Sequence, residues 1–366
     1  MRWLAIAVLA IVVGLTALAA VPFSPESAQR ETTGQAMSSN TTSPTHLSAT
    51  QDAILSATQW LNTRPLTAAD LKGKIVIVNV WTFTCINSLR PLPYLHAWAE
   101  KYKDSGLVIV GVHAPEFEVE KDVVNVRRAV AEQGVNYPVA IDSDLQIWKA
   151  LKNRGWPAFY FFDGNGRIRH QHYGEGGYDI SERLLQRLLR EAGAKSVPED
   201  LVVAHGAGVQ APPDWDDMMS DETYVGYAKA RHFASASWTH EDKASQYDMR
   251  QPLTLNQWDL TGNWTIGSEF ATLNQPSGRI SFRFHARDLH LVMSPDAQNR
   301  PVRFRVTIDG KPPGADRGFD TDADGNGTVN EPRLYQLVRQ AKPITDKTLE
   351  IEFLDPGLRA YVFTFG

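Results

Sequence analysis

Two runs of nearly unbroken apolar residues constrain this chain most: Ile75-Val76-Ile77-Val78-Asn79-Val80-Trp81 and Leu107-Val108-Ile109-Val110-Gly111-Val112. A strand that is apolar on both faces must be covered on both, so each run reads as a fully buried strand. Between them, Leu92, Leu95, Ala99 and Tyr102 recur at helical spacing. Val123 to Gln133 is a second helical stretch that stops at Gly134. Ala158–Phe162 is a third strand, turned by Asp163-Gly164-Asn165-Gly166 into a hairpin partner, Arg167–Tyr173. Ile180 to Ala192 reads as a helix capped by Ser181 or Asp179 and ended by Gly193. Strand, helix, strand, helix, hairpin, helix is an α/β arrangement around a mixed sheet.

The pattern changes past a Pro-, Gly- and Asp-rich stretch at 196–217. Gln257–Ile266, Arg279–His285, Leu289–Met293, Val302–Ile308, Arg333–Val338, Leu349–Leu354 and Ala360–Phe365 are short runs of period-2 alternation. Turn residues such as Asp309-Gly310 and Asp355-Pro356-Gly357 separate them. Seven short strands predict an antiparallel β-sandwich over 218–366. At the other end, residues 1–23 pair Arg2 with an apolar run from Trp3 to Ala20, followed by small residues, with Ala17-Leu18-Ala19 as a candidate cleavage site. A cleaved signal and an uncleaved single anchor both stay open, and either exports the rest of the chain. No Cys ends the run, which excludes a bacterial lipoprotein anchor. Residues 24–55 are rich in Ser, Thr and Gln and read as a flexible linker, leaving 56–195 as the α/β domain.

Composition closes several routes. Thirty-seven Lys and Arg against 42 Asp and Glu leave a net charge of −5, with no basic footprint for nucleic acid. The single cysteine, Cys85, rules out an intrachain disulfide and any multi-thiolate zinc or iron–sulfur site. Cys85 follows a buried strand and precedes a predicted helix, where unsatisfied N–H groups and the helix dipole favour thiolate. That placement predicts a thiol pKa below the free value of about 8.5. The opposing reading is an inert core cysteine.

Trp81-Thr82-Phe83-Thr84-Cys85-Ile86-Asn87-Ser88, Pro93 and Gly155-Trp156-Pro157 resemble, in order, the active-site Trp and Cys, the helix-kinking Pro and the cis-proline of the thioredoxin fold. The segment Pro115 to Asp144 is similar to the extra segment of TlpA- and ResA-type redoxins. Asn79–Trp81, Gly111-Val112-His113, Pro115-Glu116, Tyr137-Pro138, Arg154–Pro157 and Gly174-Glu175-Gly176 resemble the exported thioredoxin-like region of the DipZ family. The C-terminal domain, from Glu222-Thr223-Tyr224 to Phe363-Thr364-Phe365-Gly366, resembles that family too, so the likeness covers about residues 56 to 366. The resemblance implies a thioredoxin-like fold followed by a sandwich similar to carbohydrate-binding modules. It also implies thiol–disulfide chemistry, for which no cofactor is needed.

The departure is at Ser88, where the family carries the second Cys of Cys-x-x-Cys. A hydroxyl hydrogen-bonds a thiolate but cannot attack a mixed disulfide. Cys85 therefore forms a mixed disulfide or sulfenic acid and waits for an external thiol. By the resemblance, Glu116 is a candidate proton acceptor for Cys85, with His113 a weaker one. Pro157, if cis, offers a strand-like edge to an extended substrate segment. The expected partners are envelope proteins bearing thiols or disulfides, or small thiols. Two other functions stay open: a binding protein for envelope glycan or protein built on a degenerate redoxin, and a one-cysteine peroxidase. The second is suggested by Thr82-x-x-Cys85 but lacks a Pro at Val78.

Asp320-Thr321-Asp322-Ala323-Asp324-Gly325-Asn326-Gly327-Thr328-Val329-Asn330-Glu331 fits the spacing of a calcium loop. Asp320, Asp322, Asp324, Asn326 and Glu331 are its candidate ligands. Gly327 in place of an apolar residue and the upstream Pro313-Gly314 point to an isolated loop without an entering helix. His170 and His172 share a strand face but are too few for a metal site. Trp258 and Trp264 share parity, which suits core packing or, if exposed, a sugar.

Overall fold

A computed structural model describes residues 49–235, 240–249 and 252–366. The predicted signal or anchor at 1–23 and the linker as far as 48 lie outside them. The linker expectation ends too late, because Ala49–Leu55 forms α1, with Ile54 buried.

The N-terminal sheet joins β1 (Trp60–Leu61), β2 (Ile75–Trp81), β3 (Leu107–His113), β4 (Val139–Ile141), β5 (Ala158–Phe162) and β6 (Ile168–Tyr173). Their order is β1-β4-β3-β2-β5-β6. The central β2 runs parallel to β3 and antiparallel to β5. Around the sheet stand α2 (Ala68–Leu71), α3 (Ile86–Leu89), α4 (Leu92–Tyr102), α5 (Val123–Glu132), α6 (Gln146–Ala150) and α7 (Tyr178–Glu191).

The alternation of a strand explains why β2 is apolar throughout. Ile75, Ile77 and Trp81 join a cluster with Leu95, Trp98 and Tyr102 of α4 and Leu185, Leu188 and Leu189 of α7. Val76, Val78 and Val80 join another with Ile54 of α1, Ile147 of α6 and Leu151. Helix α7 starts two residues before the predicted Ile180, and its N-cap is Gly177 at φ 59° rather than Ser181 or Asp179.

All seven predicted sandwich strands form: β9 (Trp258–Ile266), β11 (Gly278–Phe284), β12 (Asp288–Ser294), β13 (Val302–Ile308), β15 (Arg333–Arg339), β16 (Lys347–Phe353) and β17 (Arg359–Phe365). Four shorter ones join them: β7 (Thr223–Tyr224), β8 (Ala244–Tyr247), β10 (Ala271–Leu273) and β14 (Asn326–Val329). The order runs β14-β13-β16-β11-β9-β10-β17-β12-β15, with β7 on β17 and β8 on β9. Strand β9 serves both halves, pairing with β11 at Trp258–Thr261 and with β10 at Trp264–Ile266. It crosses over at Gly262, whose φ is 101° and where a Cβ would lie 2.9 Å from the Gly278 Cα. Only glycine fits there.

The stretch at 196–217 holds no strand, yet it is fastened down. Val202 N–H donates to Glu182 at 2.8 Å, and Gln210 Nε2 donates to Gln133 Oε1 at 3.0 Å. The two domains also share one apolar core. Val292, Leu334, Tyr361 and Val362 of the sandwich pack in the same cluster as Trp81, Phe83, Leu89 and Phe117. The Phe117 and Tyr361 rings lie 5.0 Å apart, and Phe270 stands 5.1 Å from Tyr361. Truncating a buried aromatic costs roughly 3–5 kcal/mol. Tyr361→Ala is therefore expected to lower the stability of both domains together, as a single shifted calorimetric transition. Two separate transitions, one of them unmoved, would contradict the shared core.

Candidate thiol site

Strand β2 ends at Trp81, and the loop Thr82–Thr84 carries the chain to Cys85, the N-cap of α3. Val80 pairs with Ala158, so Pro157 follows at the edge of the sheet from which this loop departs. The Trp156–Pro157 bond is cis, as the motif predicts.

Cys85 is half-buried. Ser88, fully buried one turn later, favours the thiolate from beside it, and its backbone N–H donates to the Cys85 carbonyl at 2.9 Å. The Ser88 Oγ also accepts the Thr82 N–H at 3.4 Å. Two effects oppose this: burial first, then the negative charges of Glu222 and Glu116. They win, and the thiol is pushed up to about 12. The expectation of a low thiol pKa is corrected. Helix α3 spans only four residues before the chain turns at Arg90-Pro91 into α4, so it offers little dipole to offset the carboxylates. The rate of alkylation of Cys85 should accordingly keep rising past the free-thiol value of about 8.5. A midpoint at or below that value would contradict the arrangement.

Trp81, the match to the active-site tryptophan, lies in the core beneath the cysteine loop. Its indole is fully buried, edge-on to His113 with ring centroids 5.5 Å apart. Gly111 makes room for it, since a Cβ there would lie 3.1 Å from the indole nitrogen. His113 is likewise a core residue, stacked 5.6 Å from Phe83, and its burial lowers its pKa to about 3. It stays neutral and is no base for Cys85. Glu116 is better placed. Its carboxylate acts on the thiol through space and is held by Tyr224 Oη at 2.6 Å and Lys229 Nζ at 2.8 Å.

Two buried charges went unread in the sequence. Glu120 accepts the Thr84 hydroxyl at 2.5 Å and the N–H groups of Glu116 and Phe117 at 2.5 and 3.0 Å. It ties the cysteine loop to the loop after β3, and its burial raises its pKa. Arg90, just past α3, donates to Glu175 Oε1 at 2.8 Å and to the Phe365 carbonyl at 3.1 Å. Neither residue stands out locally, because Glu120 lies in an ordinary run of charges and the partners of Arg90 are 85 and 275 residues away.

The acidic loop is not gathered around a point. Asp320 accepts from Arg333 at 2.7 Å and from the Gln336 N–H at 2.7 Å. Asp322 accepts from Asp324 and Asn326 of its own turn, and Asn326 opens β14. Glu331 pairs with Arg128 at 3.0 Å and Arg333 at 3.3 Å. Among the described residues no group of three or more His, Cys, Asp or Glu side chains is placed to hold a metal. Arginines pair with Asp320 and Glu331, while Asp322 accepts only from neutral donors of its own turn.

Trp258 and Trp264 are fully buried, with their indole N–H groups donating to the carbonyls of Arg231 and Thr261. They are core and offer no sugar platform. His170 and His172 lie on the edge strand β6 against Phe161 and Phe159.

Comparison with known proteins agrees with this architecture. Residues 49–183 match the redoxin family, and residues 220–366 match the thioredoxin-like C-terminal domain. Protein DipZ of Mycobacterium tuberculosis is 31% identical over 314 residues, covering 84% of this chain and 42% of that protein. The chain thus spans less than half the length of this relative. The thiol-disulfide oxidoreductase YkuV of Bacillus subtilis is 30% identical over 132 residues, covering 36% of this chain and 88% of YkuV. Among solved structures, a thioredoxin-like protein in its oxidized form is 31% identical, with 37% of this chain and 90% of that one covered and a TM-score of 0.34. With its N-terminal thioredoxin-like domain and C-terminal sandwich, the chain belongs to the DipZ-related redoxins of the thioredoxin-like family.

Proposed function

We propose that this protein is an exported thiol–disulfide exchange protein that works through Cys85 alone. One observation carries the reading. Cys85 keeps partial exposure at the start of α3, with the buried Ser88 beside it favouring the thiolate. An inert core cysteine has no use for such a neighbour at a helix start. In the exchange, the Cys85 sulfur attacks a substrate disulfide, a new S–S bond forms, the old one breaks, and the leaving thiolate takes up a proton. An external thiol then attacks the mixed disulfide and frees Cys85, because Ser88 cannot. The substrates in this reading are disulfide-bearing envelope proteins or small disulfides. Placement in the periplasm, soluble or tethered, rests on the sequence of residues 1–23. Among the described residues no helix is long and apolar enough to cross a membrane.

Reactivation of scrambled, disulfide-mispaired ribonuclease in a glutathione buffer tests this. Wild-type protein should accelerate recovery above the buffer alone, and faster at pH 9 than at pH 7. Equal rates with and without the protein at both pH values would refute the exchange reading.

A further inference from the structure

The surroundings of Cys85 cross the domain boundary. Glu116 leaves β3 with its side chain only 7% exposed, and both donors to its Oε1 come from the sandwich. Tyr224 reaches it from β7, which is anchored on β17 through the Val362–Tyr224 pair. Lys229 reaches it from the loop that follows, and its ammonium also sits 4.4 Å from the centre of the Tyr224 ring. Tyr224 Oη is 2.6 Å from Glu116 Oε1 and 3.0 Å from Glu222 Oε2.

A phenol carries one hydrogen. If it serves Glu116, the shorter contact, the other contact needs a proton on Glu222. If one hydrogen is shared, the two carboxylates are held together by it alone. Either way Glu116, Tyr224 and Glu222 form one proton-sharing unit assembled from two domains. Its members bear the mark of that crowding: burial and Glu116 raise the pKa of Glu222, and burial and both carboxylates raise that of Tyr224.

The groups that act on the Cys85 sulfur can be named element by element. Ser88 of α3 favours its charge, Glu116 of the loop after β3 and Glu222 of the segment before β7 repel that charge, and Lys229 offsets Glu116. His113 and Glu120 are buried beneath the same loop, with His113 neutral and Glu120 held by Thr84 and backbone donors. Glu269 of the sandwich reaches the far side of the Glu116 loop, accepting the Glu118 N–H at 3.0 Å.

We propose that the sandwich domain completes the thiol site, with Tyr224 as a positioning residue that holds Glu116 and Glu222 beside Cys85 and Lys229 as their counter-cation. The proposal rests on the reading of Cys85 as the exchange nucleophile and assigns the second domain a role in it. The sandwich then governs when the thiol ionises, by how much negative charge it keeps at the seam.

The test is the pH profile of Cys85 alkylation by iodoacetamide in the full chain. Glu222→Gln removes one negative charge and should lower the midpoint. Lys229→Met removes the offsetting cation and should raise it. Neither side chain belongs to an apolar cluster, and Lys229 is 53% exposed, so neither change hollows the core. Tyr224→Phe keeps the ring packing and frees the two carboxylates, so it should also move the midpoint. Opposite shifts from Glu222→Gln and Lys229→Met are the signature, because a loose interface would move both in one direction. Unchanged midpoints, or shifts of one sign, would overturn the proposal. If the opposite shifts appear but Cys85 reacts with no disulfide, then the exchange reading fails and the assignment of these residues to the thiol site stands.

Discussion

Cys85→Ser is expected to abolish disulfide exchange completely while leaving the fold intact. The chain holds no second sulfur nucleophile of this kind, since Cys85 is its only cysteine. A serine hydroxyl, with a far higher pKa than a thiol, forms no mixed disulfide at any pH used for folded proteins. The replacement is close in size, Cys85 is only half-buried, and its backbone already sits in the extended N-cap conformation that serine favours. The melting temperature should therefore move little, within the range of an ordinary surface change of about 0.5 kcal/mol. Residual exchange in Cys85→Ser above the uncatalysed rate would mean that the chemistry lies elsewhere.

Ser88→Cys should produce the largest gain. Ser88 lies one helical turn beyond Cys85, and side chains three residues apart on a helix have Cβ atoms about 5–6 Å apart, which is within reach of a bridge after small adjustment. It already stands beside the Cys85 sulfur and favours its thiolate. A thiol in that place resolves a mixed disulfide from within, so turnover in a dithiol-driven reductase assay should rise at least about tenfold over wild type. The buried setting of Ser88 accepts the larger sulfur at modest cost, since free cysteine is among the residues most at home in an interior. Equal turnover in the two proteins would show that release of the mixed disulfide does not limit the wild type.

The fold is legible in this sequence wherever burial writes a long pattern. β2 and β3 read as apolar runs because helices cover both faces of the sheet, and the seven longer sandwich strands read as alternation. The elements that escape notice are the short ones. β1, β4, β10 and β14 span two to four residues, too few for any period to show. The start of α7 escapes for another reason, since Gly177 caps it in a left-handed conformation without a side-chain signal.

The site divides in the same way. Cys85, Ser88 and Pro157 are legible because the turn, the helix start and the proline are local features of the chain. Glu222, Tyr224 and Lys229 are not, because they meet Glu116 only through packing across more than 100 residues. The acidic loop shows the converse. Within its twelve residues the spacing matches a cation site, but Arg128 and Arg333, which neutralise Glu331 and Asp320, lie outside that window. The place of Trp81 before the cysteine matches the motif, and Gly111 on the neighbouring strand opens the space that draws it into the core.

The raised thiol bears on how long a captured partner stays. A thiol of high pKa is a poor leaving group, so the attack on the partner's sulfur that frees Cys85 is slow. Attack on the Cys85 sulfur expels the partner but leaves Cys85 joined to the incoming thiol until a second thiolate displaces it. Half-burial of that sulfur slows this second route as well. Intact-mass spectrometry of the full chain after brief exposure to 2-hydroxyethyl disulfide at pH 9, followed by removal of the reagent, tests the central claim most directly. The expected result is one mercaptoethanol adduct per chain, mapped to Cys85, that persists until an external thiol is added and then disappears. No adduct on Cys85, or an adduct lost without added thiol, would contradict single-cysteine exchange.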